Sequence, residues 1–153
     1  MLLGGKAMNK AIIKFNKLNS NAILPTRGSA FAAGYDLYAC TEVDVTIAPH
    51  STVKIGTGLS FELPEGTYFG IYARSGLASG QGLRPANCVG VCDSDYRGEY
   101  IVSVHNDSDE VQVIHPGDRI AQMILHEYVE VEFEEDELSK TSRGFGGFGS
   151  TGR

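Results

Sequence analysis

Three stretches of this chain carry side chains suited to chemistry on a phosphate-bearing substrate. The first runs from Arg143 to Arg153 and reads RGFGGFGSTGR. Glycine adds backbone entropy and almost no buried surface, so such a segment becomes ordered only around something that it binds. Its groups suit a nucleotide: glycine N–H groups and the hydroxyls of Ser150 and Thr151 fit phosphate oxygens, an arginine fork fits a terminal phosphate, and a phenylalanine face fits a flat base. We read it as a lid, although composition alone leaves a flexible linker open as well. A P-loop is excluded, because GFGSTG lacks the phosphate-reaching lysine and no helical pattern follows it.

The second stretch is Ala73-Arg74-Ser75-Gly76-Leu77-Ala78, which ends the apolar run TYFGIYA. It can start a single helical turn with Ser75 near its N-terminus, and a helix start preceded by arginine attracts anions. The third lies between Asn87 and Tyr100, NCVGVCDSDYRGEY. Here CVGVC leads into Asp93-Ser94-Asp95, and Tyr96-Arg97-Gly98 returns into EYIVSV, which predicts a β-hairpin with two acids at its tip. Alone, an Asp-x-Asp in a turn reads equally as backbone capping.

Strands must position these groups. Alternation of period two recurs at Val43, Val45 and Ile47, at Val53 and Ile55, at Val111 and Val113, and at Val129, Val131 and Phe133. Turn chemistry separates them at Pro49-His50, Pro64-Glu65-Gly66 and Pro116-Gly117-Asp118. No long amphipathic helix is evident, so the expected fold is all-β, an antiparallel double-sheet sandwich or jelly roll. Residues 1–137 form the β domain in this reading, and 138–153 a flexible C-terminal arm. Glu127 to Glu137, EYVEVEFEEDE, is expected to be an edge strand grading into a charged linker.

With 153 residues the chain suffices for one domain with a real core. A net charge of −6 argues against a duplex nucleic-acid binder. No apolar run reaches the roughly 20 residues of a membrane helix, and Met1 to Ala7 is too short for a signal peptide, so a cytoplasmic protein is expected, with Met8 as an alternative start. Cys40, Cys88 and Cys92 suit reduced thiols. Cys88 and Cys92 are spaced to share one strand face, and small buried side chains are a better reading of them than a metal pair. His50, His105, His115 and His126 are scattered, and none is given a role.

Five segments in fixed order resemble the trimeric dUTP diphosphatase family: AAGYDLYA (Ala32 to Ala39), ARSGLA (Ala73 to Ala78), GVCDSDYRGEY (Gly90 to Tyr100), GDRIAQMIL (Gly117 to Leu125) and RGFGGFGSTG (Arg143 to Gly152). The resemblance implies a homotrimer of jelly-roll subunits with active sites at subunit interfaces, hydrolysing dUTP to dUMP and pyrophosphate with Mg²⁺. That reaction keeps uracil out of DNA and supplies dUMP for thymidylate synthesis. It further implies that Asp93 activates the attacking water while Asp95 fixes the hairpin, and that Asp36 holds Mg²⁺ through water. Arg74, Ser75 and Gly76 would cradle the phosphates, Gln122 would contact the α-phosphate region, and Arg143 would reach the γ-phosphate, with Gly149 and Ser150 beside it. Asn87 and the backbone near Val91, Cys92 and Ile101 would select uracil, Tyr96 would lie against the deoxyribose, and Phe148 would stack on the base.

The chain departs from the family pattern at Phe145, where a small or polar residue is common, and at Cys92, where an aliphatic is common. Neither removes a group that the mechanism uses. Two alternatives accompany this reading. A dCTP deaminase would need a glutamate beside C4 of cytosine, and Glu99 is the only nearby acid past Asp93. A regulatory module on the same scaffold would bind nucleotide without turning it over.

Overall fold

A computed structural model describes residues 10–147. Among them the chain forms twelve strands and one short helix: β1 (Lys14–Lys17), β2 (Thr26–Arg27), β3 (Tyr35–Tyr38), β4 (Val45–Ile47), β5 (Thr52–Gly56), β6 (Leu59–Glu62), β7 (Thr67–Tyr72), α1 (Ser75–Gln81), β8 (Leu83–Pro85), β9 (Gly90–Asp93), β10 (Ile101–Asn106), β11 (Gln112–Ile114) and β12 (Arg119–Glu127). Every strand pair is antiparallel. The largest sheet has the order β2-β3-β12-β7-β9; a second has the order β5-β10-β8, and β1-β6 and β11-β4 form two-stranded sheets. The all-β antiparallel jelly-roll expectation is met.

Alternation sorts side chains between core and surface. In β7, Phe69 and Ile71 are buried, whereas Tyr68 and Tyr72 are half-buried on the opposite face. In β10, Val102 and Val104 enter the core with Asn106, while Ile101 stays exposed. The core joins Leu37, Ile47, Ile55, Leu59, Ile114 and Ile120 to an aromatic group in which Phe61 meets Tyr100 edge-on at 4.7 Å and Phe69 at 5.9 Å. Buried Asn106 is satisfied: its Nδ2 donates to Ile47 O, Ala48 O and Glu110 O, and its Oδ1 accepts from the Ser108 N–H and hydroxyl.

The helix is longer than the single turn expected. It starts at Ser75, with Arg74 at its N-cap in extended conformation, and stops at Gly82, whose φ of 69° is the left-handed cap conformation that glycine accepts without strain.

Four expectations need correction. Val111 and Val113 point outward, and Ile114 is the buried residue of β11, so the alternation there has the opposite phase. Strand pairing ends at Glu127, and Val129, Val131 and Phe133 are exposed and unpaired instead of forming an edge strand. The segments around Asp93 do not pair as a hairpin, because β9 joins β7 whereas β10 joins β5 and β8. Cys88 lies in the turn before β9 with φ 62°, so it shares no strand face with Cys92. All three cysteines are free thiols.

Candidate active site

The predicted residues fall into separate groups. One gathers on the large sheet where β3, β12 and β7 lie side by side. Gln122 is opposite Asp36 on one side and Tyr72 on the other. Arg74 follows β7 by two residues, and its Nε donates to Asp36 Oδ1 at 2.8 Å. Arg119, which sequence reasoning passed over, lies 3.5 Å from Asp36 Oδ2. The Asp36 side chain is only 14% exposed, so this carboxylate is held largely by arginine.

Gln122 completes the group. Its Nε2 donates to Ala73 O at 2.9 Å, which ties β12 to the segment entering α1. Its Oε1 packs over Gly34, where an added Cβ would come within 2.4 Å. Ser75 and Gly76 open the helix beside Arg74, so their N–H groups precede any intrahelical acceptor. Two arginines, a carboxamide and the start of a helix thus converge on one corner of the sheet.

The second group surrounds a cleft of about 270 Å³ between β9 and β10. Asn87, Val91, Cys92, Asp93, Tyr96 and Ile101 all line it. The failed hairpin is what creates this space. β9 is the edge of its sheet, and β8 pairs with β10 only at Val104, His105 and Asn106, so two strand edges border the cleft without bridging it. Such edges carry backbone donors and acceptors at fixed spacing. Asp93 ends β9 and is exposed.

The turn after Asp93 is fixed by bonds other than those expected. Tyr96 N donates to Asp93 O, Arg97 Nη1 to Ser94 O at 2.7 Å, and Tyr96 OH to Glu99 O at 3.1 Å. Among the described residues Asp95 makes no side-chain hydrogen bond, so it does not hold the turn as expected. Burial pushes the Cys92 thiol up to about 11. Tyr100, whose ring is in the core, is pushed up as well, chiefly by burial.

The two groups do not meet within one chain. Asp93 is opposite Tyr68 and Gln122 opposite Tyr72, which puts them about 13 Å apart along β7 and on its two different sides. Arg143 joins neither: it is exposed, and its Nε donates to Gly146 O at 2.9 Å. Phe148, Gly149 and Ser150 lie outside the described residues.

No group of three or more His, Cys, Asp or Glu side chains forms a metal-binding cluster among the described residues. Asp36 keeps a free lone pair on each oxygen beyond its arginine contacts, so it fits a hydrated, phosphate-borne cation better than direct ligation. Sequence reasoning also passed over Glu99 and Tyr100 as parts of the cleft wall. Their place inside the motif was the available signal.

The dUTPase family model matches residues 20–152. The deoxyuridine 5'-triphosphate nucleotidohydrolase of Desulfitobacterium hafniense (strain DSM 10664 / DCB-2) is 51% identical over 131 residues, covering 84% of this chain and 87% of the relative. That of Oryza sativa subsp. japonica is 46% identical over 142 residues, covering 92% and 81%. Among solved structures, a dUTPase of Staphylococcus bacteriophage 80alpha with dUpNHpp is similar with a TM-score of 0.83 and 25% identity, over 93% of this chain and 99% of that one.

Proposed function

This chain belongs to the dUTPase family, and from that premise we propose that it hydrolyses dUTP to dUMP and pyrophosphate by in-line attack of water on the α-phosphorus. Asp93 orients the water and takes its proton as the new P–O bond forms, a task suited to an exposed carboxylate at a strand end. The bond to the β-phosphate oxygen breaks, and pyrophosphate leaves with the electron pair. Arg74, Ser75 and Gly76 hold the phosphates, Gln122 faces the α-phosphate region, and Arg143 reaches the γ-phosphate, so that positive charge meets the negative charge growing on the leaving group. Asp36 would hold Mg²⁺ through water, and the ion would supply further charge neutralisation. The hydrogen bond from Arg74 keeps that carboxylate in place.

The observation that carries this reading is the cleft between β9 and β10, with Asn87 in its wall and Asp93 at the end of one bordering strand. Uracil offers an N3–H donor between two carbonyls, and cytosine offers an acceptor and an amino group at the corresponding positions. Unpaired strand edges can match one pattern and leave the other unsatisfied, a discrimination worth several powers of ten. Tyr96 lies where the deoxyribose would pass and leaves no room for a 2'-hydroxyl. Phe148 would stack on the base from the arm.

The separation of Asp93 from Gln122 supports a site shared between copies: one subunit brings Asp36, Arg74 and Gln122, a second brings the cleft, and an arm closes over both. The decisive experiment mixes purified protein and Mg²⁺ with dUTP, dCTP, dTTP or UTP and measures pyrophosphate and the nucleotide product. Pyrophosphate and dUMP from dUTP alone are expected. Conversion of dCTP to dUMP would transfer the site to deaminase chemistry, and no turnover of any of the four would leave a regulatory nucleotide binder.

A further inference from the structure

The acid in the cleft wall that the hydrolytic scheme leaves unused is Glu99. Its Oε1 accepts a hydrogen bond from the N–H of Gly58 at 2.8 Å. Gly58 lies in the turn between β5 and β6 with φ +67°, a conformation strained for any residue with a side chain. The same turn grips the next residue: the N–H and hydroxyl of Thr57 both donate to Tyr100 O, and Tyr100 N donates to Leu59 O. The carbonyl of Glu99 in turn accepts from the Tyr96 phenol at 3.1 Å. Room for this carboxylate exists because residue 56 is glycine, since a Cβ there would come within 2.4 Å of Glu99 Oε1.

We infer that Glu99 is a positioning residue for sugar selection: its side chain clamps the cleft wall to the β5–β6 turn, and its carbonyl fixes the Tyr96 ring at the place of the deoxyribose. This rests on the reading of Tyr96 as the wall against a 2'-hydroxyl. The clamp acts on substrate fit: neither the Asp93 carboxylate nor the phosphate-binding corner bonds to Glu99, and Asp93 is linked to the clamp only through its backbone carbonyl, which accepts from Tyr96 N. Loss of the acceptor strands the Gly58 N–H in a part-buried site, frees the turn, and lets Tyr96 yield to a ribose.

The test measures kcat and KM for dUTP and for UTP in four single variants and one double variant. Glu99→Ala is expected to raise KM for dUTP about fivefold, the effect of one lost hydrogen bond, with a smaller change in kcat and a narrowed preference over UTP. Glu99→Gln retains an acceptor oxygen and is expected to restore both. Gly56→Ala pushes aside the end of a flexible side chain without straining the backbone, so it should fold, reproduce the Glu99→Ala phenotype, and add nothing in the Glu99→Ala background. Tyr96→Ala is the control for the underlying reading. If Tyr96→Ala loses sugar preference while Glu99→Ala and Gly56→Ala keep it, the clamp is wrong and the sugar wall stands. If Tyr96→Ala keeps the preference, the wall itself is wrong and the inference falls with it.

Discussion

Arg74 Nε and Asp36 Oδ1 meet at 2.8 Å across the width of β12, joining β3, a strand near the edge of the large sheet, to the N-cap of α1. The contact makes Asp36 both the counter-charge of an arginine and a holder of that arginine's pose, with Arg119 on its other oxygen.

Replacing Asp36 with Asn is therefore expected to lower kcat/KM for dUTP by at least tenfold, because Arg74 loses its charged partner and, in the proposed scheme, hydrated Mg²⁺ would lose a charged acceptor. The amide oxygen can still accept one hydrogen bond, so the stability cost should stay below about 2 kcal/mol. Steady-state kinetics at several Mg²⁺ concentrations, with a thermal melt alongside, would check both halves. Unchanged kcat/KM would remove Asp36 from the site.

Asp93→Asn tests the proposed base. Asn matches the carboxylate in shape and cannot take a proton, so turnover should fall by about 10²-fold or more. Asp93 is exposed at a strand end, and its replacement should leave the melting temperature and the affinity for a non-hydrolysable dUTP analogue almost unchanged. Normal turnover by this variant would assign the base elsewhere.

How far these groups were legible in the sequence depends on which physical question is asked. Alternation revealed β5 and the inward face of β4, because a buried face selects apolar residues at every second position. It failed at β11, where Val111 and Val113 advertise one face and Ile114 carries the buried position. It failed again after Glu127, since Val129, Val131 and Phe133 alternate with acids yet find no partner strand among the described residues. Partner choice is a tertiary matter: nothing in CVGVC or EYIVSV states that one joins β7 and the other β5. The residues of the cleft were nevertheless found, because the motif groups them locally. The contacts of Glu99 with Gly58 and of Asp36 with Arg119 were not found, because each spans distant sequence.

The thiols supply a prediction on pH. An unfolded Cys92 would ionise near the ordinary 9.0, whereas burial holds the folded thiol to about 11. Between those values the unfolded chain binds fewer protons than the folded one. The stability is therefore fully present below about pH 9 and falls as pH rises through 11, by up to about 2 kcal/mol once partial exposure is allowed for. Cys92→Val should flatten denaturant midpoints over that window. Alkylation at neutral pH read by mass spectrometry should modify exposed Cys88 first, with Cys92 slowed by burial, and Cys40 slowed by burial and by the charge of Glu99. Modification of Cys92 before Cys88 would contradict the packing of Cys92 beneath the cleft.

The separation of Asp93 from the Arg74 corner yields a test of shared sites that needs no further structure. Asp93→Asn and Arg74→Ala subunits should each be inactive alone, because each removes one half of every site. If a site draws Asp93 from one copy and Arg74 from another, subunits unfolded together and refolded as a mixture recover wild-type pairs in some interfaces. Random mixing of equal amounts gives up to about a quarter of the sites both intact residues. Were the two halves supplied by one chain, every site would carry one of the two lesions, and the mixture would stay as inactive as its parents. Recovered dUTP hydrolysis in the refolded mixture, absent when the intact variants are combined without unfolding, is the expected result.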